Sequence, residues 1–354
     1  MDPFSQAALG AVVVQSVAHR ELGLKGVIWG GLAGAFPDVD VLFTLPGDYF
    51  DQLQIHRGIT HSLLFAPVAG PLMAYAIWRL ENRRSMRAPS ERRLGYWMIA
   101  LTLAIWSHPI LDYLTPYGTQ LLAPLTDQRF ALNAMPIIDP VYTLLLVVGI
   151  AAAFRFKDSV NVERAAFGVL VLSFCYIGLG GMLNVASKAE AEQQLLERGV
   201  TNAQIAAFPT IFQIFYRRIV ARTPTDDYVG YLSMWNPCPI DWGVARRAGG
   251  NVASVVKTTR EGEIFDWFAM GWTHHRARRT EDGLYVRTAD LRYGLTQDPA
   301  ESVFMLETTM SAMGTQSVPV FGGRSRPAPS LAFITGMFKA AFAPRCAGST
   351  MANL

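Results

Sequence analysis

The sequence predicts a mainly α fold: a multi-helix membrane domain followed by a small C-terminal α+β soluble domain. Three observations carry that expectation. The composition is 51% hydrophobic and 17% charged, with a mean hydropathy of +0.22. That is too apolar for an ordinary soluble domain and too polar for a pure membrane bundle. The excess is uneven: residues 1–186 hold long apolar runs, whereas 187–321 are mixed and polar. Alternating patterns that read as strands, at 228–235, 284–291 and 303–308, appear after that change.

The elements follow in order. Apolar segments cover residues 4–18, 24–36, 62–80, 94–107, 136–154 and 165–183. The third, fifth and sixth approach the roughly 20 residues a span needs. The others are short, and read as spans of a thinned region or as partly immersed buried helices. No Lys or Arg precedes Arg20, so the basic start of a signal peptide is missing and the segment is expected to remain in the mature protein. The α+β domain, 187–321, opens with a solvated helical stretch over 187–207. The aromatic run 212–216 is read at the membrane surface, and the basic stretch 273–279, with His274 and His275, as hydrated surface. Residues 322–354 comprise a Gly/Pro/Arg linker, a stretch at 331–342 suited to a surface helix, and a disordered tail.

Charge sets the expected orientation. Arg79, Arg83, Arg84, Arg87, Arg92 and Arg93 share one loop; Arg155, Lys157 and Arg164 share a turn; Arg20 and Lys25 share another. The positive-inside rule makes all three cytoplasmic. The net charge is only +3, and no long basic stretch interleaved with aromatics points to a nucleic-acid partner. Of the three cysteines, Cys175 lies in an apolar run, and a Cys238–Cys346 disulfide would suit an oxidising compartment.

Alternation through the segments then brings three polar islands to the non-cytoplasmic face. They are Pro37-Asp38-Val39-Asp40, His56-Arg57-Gly58-Ile59-Thr60-His61 and His108-Pro109-Ile110-Leu111-Asp112. Imidazole with carboxylate is the ligand set of Zn, Mn or Fe rather than of Mg or Ca. Ionisable groups clustered in a membrane domain mark function. Asp38, Asp40, His56, His61, His108 and Asp112 are therefore the candidate metal ligands, enough for two ions. His108 and Asp112, four apart, share a face if the helix runs past Ser107. Gln6 falls on the same side, whereas His19 falls on the opposite one. Arg57 is placed to neutralise an anionic substrate. Asp139 is read as a ligand, as the orienter of a histidine N–H, or as a helix N-cap. Thr115, Tyr117 and Asp127 are supporting candidates.

These residues resemble a family. MDPFSQAALGA at the N-terminus, PDVD, HRGITHS, SHPILDYLTPYGTQLL and the stretch 127–139 ending IIDP look like the membrane-bound, metal-dependent hydrolases of bacterial inner membranes. One branch of these is described as LexA-regulated. The resemblance covers roughly residues 1–150, with DLRYG at 290–294 as a weaker signature. Many members carry a histidine where this chain has Gln6 after Ser5, a departure at one ligand position. The His/Asp layout is similar to that of zinc-dependent phospholipases C, which implies phosphoester substrates by analogy.

The expected function is thus a membrane-bound hydrolase using a metal-activated water on a phosphoester or other ester at the periplasmic face. The cofactor would be a divalent transition metal, zinc first, with Mn or Fe as alternatives. Membrane lipids and a small-molecule or lipid-linked substrate would be its partners, and the C-terminal domain would be periplasmic. The competing classes are a non-catalytic metal-binding scaffold and a transporter component. A transporter needs polar groups at mid-membrane in broken helices, whereas these islands lie at segment ends.

Overall fold

The structure, a computed structural model, describes residues 1–45, 47–83, 90–156, 159–281, 283–311, 320–321 and 331–342. Its helical part comprises α1 (Pro3–Ala35), α2 (Tyr49–Ile55), α3 (Ala66–Arg83), α4 (Glu91–Tyr113), α5 (Pro140–Arg155) and α6 (Ser159–Glu197). Then come β1 (Gln204–Pro209), β2 (Tyr216–Arg222), β3 (Asp226–Ser233), β4 (Gly243–Arg246), α7 (Gly250–Lys257) and α8 (Arg260–Phe268). The chain ends with β5 (Thr273–Thr280), β6 (Gly283–Asp290), β7 (Met305–Ser311), β8 (Val320–Phe321) and α9 (Leu331–Phe342). Two compact units emerge, with the main division between Gly181 and Met182, inside α6. The linker and tail expected at 322–330 and 343–354, and Arg84, Arg87 and Lys157, lie outside the described residues.

In the first unit, Asp2 caps α1 by accepting from the Ser5 N–H at 2.9 Å, with Pro3 at the first helical position. A straight helix would put Gly10 and Gly30 about 30 Å apart. Instead, a β-carbon at Gly10 would lie 2.4 Å from the Gly30 carbonyl oxygen, and one at Gly34 would lie 2.6 Å from that of Gln6. The helix is broken at Gly23 (φ 60, ψ −153), a conformation that glycine tolerates best. Its two arms, the first two apolar segments of the sequence, fold back on each other along a seam that admits only small residues. The second arm runs into a 3-10 stretch, Phe36–Thr44, which carries Asp38 and Asp40.

Helices α3 and α4 approach as closely: a β-carbon at Gly70 would meet Thr102 Oγ1 at 2.3 Å. Val14, Ala18 and Leu22 of α1, Ala74 and Ile77 of α3, and Trp97, Leu101 and Ile105 of α4 form one buried cluster. Val68, Leu72, Leu144, Val148, Phe167 and Phe174 leave large apolar side chains exposed, as helices do in lipid rather than in water. Among the described residues, Pro3–Thr44, Glu91–Tyr113 and Ser159–Glu197 are long and apolar enough to cross a membrane. The bent pair Tyr49–His61 with Ala66–Arg83 qualifies as a broken span or a re-entrant loop.

The second unit holds two antiparallel sheets, ordered β1-β2-β3-β4 and β5-β6-β7-β8. The three strand patterns read from the sequence correspond to β3, β6 and β7, and the five described strands beyond them are β1, β2, β4, β5 and β8. The helix expected over 187–207 stops at Glu197. Gly199 takes φ 77, and the Val200 N–H reaches back to the Leu195 carbonyl at 2.9 Å, a glycine-terminated helix end. Residues 204–207 then belong to β1. The basic stretch 273–279 is β5: Arg276, Arg278 and Arg279 are exposed as expected, but His274 is buried. Its Nδ1 lies 2.8 Å from Asp227 Oδ2, and the Arg222 Nε–H donates to Asp227 Oδ1 at 2.7 Å. The carboxylate is 47 residues away in sequence, so local spacing could not reveal it. Burial pushes the Asp227 carboxyl up, but the His274 and Arg222 bonds outweigh it and hold the group below its usual range. Helix α9 places Phe342 against Phe215 and Trp235, with ring centroids 5.8 Å from each. Cys175 is free, Cys238 is disulfide-bonded, and Cys346 lies outside the described residues.

Candidate metal centre

The three polar islands meet in the first unit. Asp38 and Asp40 come from the 3-10 stretch after α1, and His56 and Arg57 from the turn after α2. His61 closes a short 3-10 turn, Ile59–His61, and His108 and Asp112 lie on the last turns of α4. Helix α4 does run past Ser107 and through Pro109, which removes one ladder hydrogen bond but keeps His108 and Asp112 on one face. His61, His108 and Asp112 are buried, with 0%, 0% and 1% of their side chains exposed. Asp38 at 24% and His56 at 18% form the more open side.

Hydrogen bonds fix the tautomers. The His108 Nδ1–H donates to the Gly34 carbonyl at 2.6 Å; a carbonyl only accepts, so the Nε2 of a neutral ring carries the lone pair. His56 Nδ1 lies 2.9 Å from Asp40 Oδ1. His61 Nδ1 lies 3.2 Å from Asp40 Oδ2 and 3.0 Å from Thr60 Oγ1, and the Thr60 hydroxyl itself donates to Asp40 Oδ2 at 3.0 Å. Asp40 also accepts from the Arg57 backbone N–H at 3.0 Å. It therefore holds two imidazoles and the turn between them, leaving their Nε2 atoms outward, the partnership ordinarily found behind metal-bound histidines.

Those Nε2 atoms converge. His61 Nε2 and His108 Nε2 are 3.0 Å apart. His61 Nε2 is 3.4 Å from Asp38 Oδ1 and 3.4 Å from Asp112 Oδ2. His108 Nε2 is 3.4 Å and 3.5 Å from the same two oxygens. With neutral rings these are acceptors facing acceptors, an arrangement that a shared cation would relieve. Zinc bonds to nitrogen and oxygen of about 2.0–2.2 Å correspond to tetrahedral edges of about 3.3–3.6 Å; the nitrogen–oxygen spacings of 3.4–3.5 Å fall in that range, and the nitrogen–nitrogen spacing of 3.0 Å is shorter. His61, His108 and Asp112 form one potential ligand trio, and Asp38, His56 and His61 another. His61 is common to both.

The surroundings continue the pattern. Gln6 is fully buried; its Nε2–H donates to Asp112 Oδ1 at 3.0 Å, and its Oε1 has no hydrogen-bond partner among the described residues. The Met1 nitrogen also contacts Asp112 Oδ1. Arg57 Nε lies 3.1 Å from Asp112 Oδ2, misaligned for a hydrogen bond, and its Nη1–H donates to Thr115 Oγ1 at 3.2 Å. The Arg57 backbone is left-handed, φ 63, a strain of order 1–3 kcal/mol. Bonds from its N–H to Asp40 and from the Gln120 N–H to its carbonyl at 3.0 Å hold it there. The guanidinium stacks 4.4 Å from the Tyr117 ring centroid. Arg129, which the reading from sequence did not single out, approaches the same ring at 5.3 Å and donates to the Gly118 carbonyl at 2.8 Å. The one sequence signal for it was its place in the stretch 127–139.

Asp139 is not brought to this cluster. Its Oδ1 accepts from the Val141 and Tyr142 N–H groups at 3.0 Å each, and its Oδ2 accepts from the Tyr176 hydroxyl at 2.8 Å. Both oxygens are taken, so of the three roles open to it the helix cap is the one it fills. Asp127 is exposed, and His19 stands outside both ligand trios.

Comparison with known proteins supports the membrane assignment. The chain is 38% identical over 103 residues to inner membrane protein YbcI of Escherichia coli (strain K12), covering 28% of this chain and 54% of YbcI. The match thus spans about half the length of that relative. No solved structure matches the chain. The family model described as YdjM inner membrane protein matches residues 1–186, which carry the His/Asp cluster, and the chain therefore belongs to the YdjM inner membrane protein family.

Proposed function

We propose that this chain is a metal-dependent hydrolase acting on a phosphoester or other ester at the membrane. The observation that carries the reading is the convergence of the His61 and His108 Nε2 atoms with Asp38 and Asp112, each ring held at Nδ1 by an acceptor. Asp38, His61, His108 and Asp112 would hold one ion, and His56 with Asp38 and His61 could hold a second. A divalent transition metal there, zinc by ligand type with Mn or Fe as alternatives, would supply hydroxide near neutral pH and polarise the scissile ester. Asp40 and the Gly34 carbonyl orient the rings. Gln6 Oε1 offers an acceptor to ligand or water. Arg57 offsets negative charge that develops on the substrate. Asp139 acts only through the start of α5.

The hydrolase reading is tested on detergent-purified full-length protein. Stoichiometric transition metal, together with metal-dependent turnover in a panel of phosphodiesters, phosphomonoesters and acyl esters, is the expected result. Protein without metal would overturn it. Metal without turnover on any panel member would favour the non-catalytic scaffold.

The second unit is assigned to the periplasm. The arginines of the 79–93 loop and the disulfide at Cys238 support this, because disulfides persist in oxidising compartments. A Glu281→Cys variant in a Cys175→Ala background should react with an impermeant thiol reagent in cells whose inner membrane is intact. Labelling only after that membrane is opened would reverse the topology.

A further inference from the structure

The short connections that deliver the site residues carry large exposed apolar side chains. Leu42 and Phe43 follow Asp40; Ile59 sits between Arg57 and His61; Leu64 precedes α3; Leu122 and Leu125 follow Gln120. Phe43, Ile59 and Leu125 expose 69%, 60% and 77% of their surface. These connections are joined to one another: the Leu63 N–H donates to the Leu121 carbonyl at 2.9 Å, and the Gln120 N–H to the Arg57 carbonyl at 3.0 Å. Loops around a water-facing site are ordinarily polar. An apolar rim around a buried, charged interior is instead the chemistry of an amphiphile, with tail outside and headgroup inside. The interior supplies the headgroup side: the Arg57 guanidinium is 4% exposed with its Nε 3.1 Å from Asp112 Oδ2, bonded to Thr115 and stacked on Tyr117, a planar donor fork of the kind that takes a phosphate. Asp38 and His56, the more open members of the cluster, leave the interior accessible.

We propose that the site takes a bilayer-borne amphiphile with a phosphate headgroup. The headgroup is held at Arg57, and the tail lies against Ile59, Leu122 and Leu125. This deepens the hydrolase reading and rests on it for the chemistry that follows binding, but the binding claim stands on the rim and the arginine.

The test uses full-length protein in vesicles of a phosphate-free glycolipid that contain either phosphatidic acid or diacylglycerol with a photoactivatable acyl chain. Phosphatidic acid is expected to label residues 59–64 and 121–125 about tenfold more than diacylglycerol, the selectivity of one charge-assisted hydrogen bond. Arg57→Gln should reduce that label to the diacylglycerol level. The double variant Ile59→Ser/Leu125→Ser, which leaves every charged group in place, should do the same while retaining metal, and it serves if Arg57→Gln fails to fold. Equal labelling by both lipids, or labelling that survives both variants, overturns the proposal. So does full competition by an equal concentration of glycerol phosphate, since the tail would then contribute nothing. Labelling needs no turnover. Selective labelling of a protein that binds no metal would sink the hydrolase reading alone, and metal-loaded protein without selective labelling would sink this inference alone.

Discussion

His61 and His108 face each other through Nε2 atoms 3.0 Å apart, although 47 residues separate them in the chain. Each ring is committed at Nδ1, His108 to the Gly34 carbonyl and His61 to Asp40 and Thr60. Two neutral imidazoles so arranged present lone pairs to each other and to two carboxylates, a conflict that the proposed cation would resolve.

His61 belongs to both ligand trios, so His61→Ala is expected to abolish metal retention. His19→Ala should leave metal content unchanged. Metal analysis of the two purified variants decides it, and equal losses would refute the site as drawn.

Asp40 touches the rings only at Nδ1. Asp40→Asn keeps its size but weakens its hold on His56 and His61, and metal affinity should fall about 10–100-fold, the usual effect of an orienting partner. A chelator series gives the number. Complete loss would mean that Asp40 binds the metal directly.

Asp112 is both a candidate ligand and the counter-charge to buried Arg57. Asp112→Asn should therefore lose metal and also destabilise the protein by about 3–5 kcal/mol, because a buried charge is left uncompensated. Combining it with Arg57→Gln should recover part of the stability but none of the metal. Thermal denaturation and metal content of the single and double variants separate the two roles.

Asp139 caps α5 with two backbone bonds. Asp139→Ala should lower stability by about 1 kcal/mol, the typical value of a cap, with metal content intact. Loss of metal at unchanged stability would return Asp139 to the site.

The second unit has its own pH dependence. Burial pushes His275 down to about 4, below an unfolded value of about 6.5. The unfolded chain therefore binds this proton more readily, and stability falls as pH drops from about 6.5 toward 4, by about 2 kcal/mol at pH 5. The depressed Asp227 carboxyl acts in the same direction but only at pH below about 4. The protection factors of the β5–β6 amides, observed exchange divided into the intrinsic rate, should fall by about 20-fold between pH 7 and pH 5. His275→Gln should remove that fall.

Much of the site was legible in the chain because its chemistry is local. Carboxylates two apart, histidines five apart in HRGITH, and a histidine and aspartate four apart at a helix end announce themselves by composition and period. Charge parity placed them on one face. The helical segments and three of the strands were legible for the same reason, since periods of 3.6 and 2 are read within a few residues.

What only the tertiary structure decided are relations between distant residues. No local pattern separates Asp38, facing the lone pairs of two imidazoles, from Asp40, consumed in orienting them. The difference arises because the turn 56–61 saturates Asp40, through His56 Nδ1, the Arg57 N–H, the Thr60 hydroxyl and His61 Nδ1. Gly34 looked like one small residue among many, yet its carbonyl sets the tautomer of His108 because α1 folds back at Gly23. Asp139 had three readings until the N–H groups of α5 occupied it. His274 looked solvated until β5 brought it to Asp227. In each case the sequence determined which groups were available, and burial with hydrogen-bond saturation across the fold determined which stayed free to act.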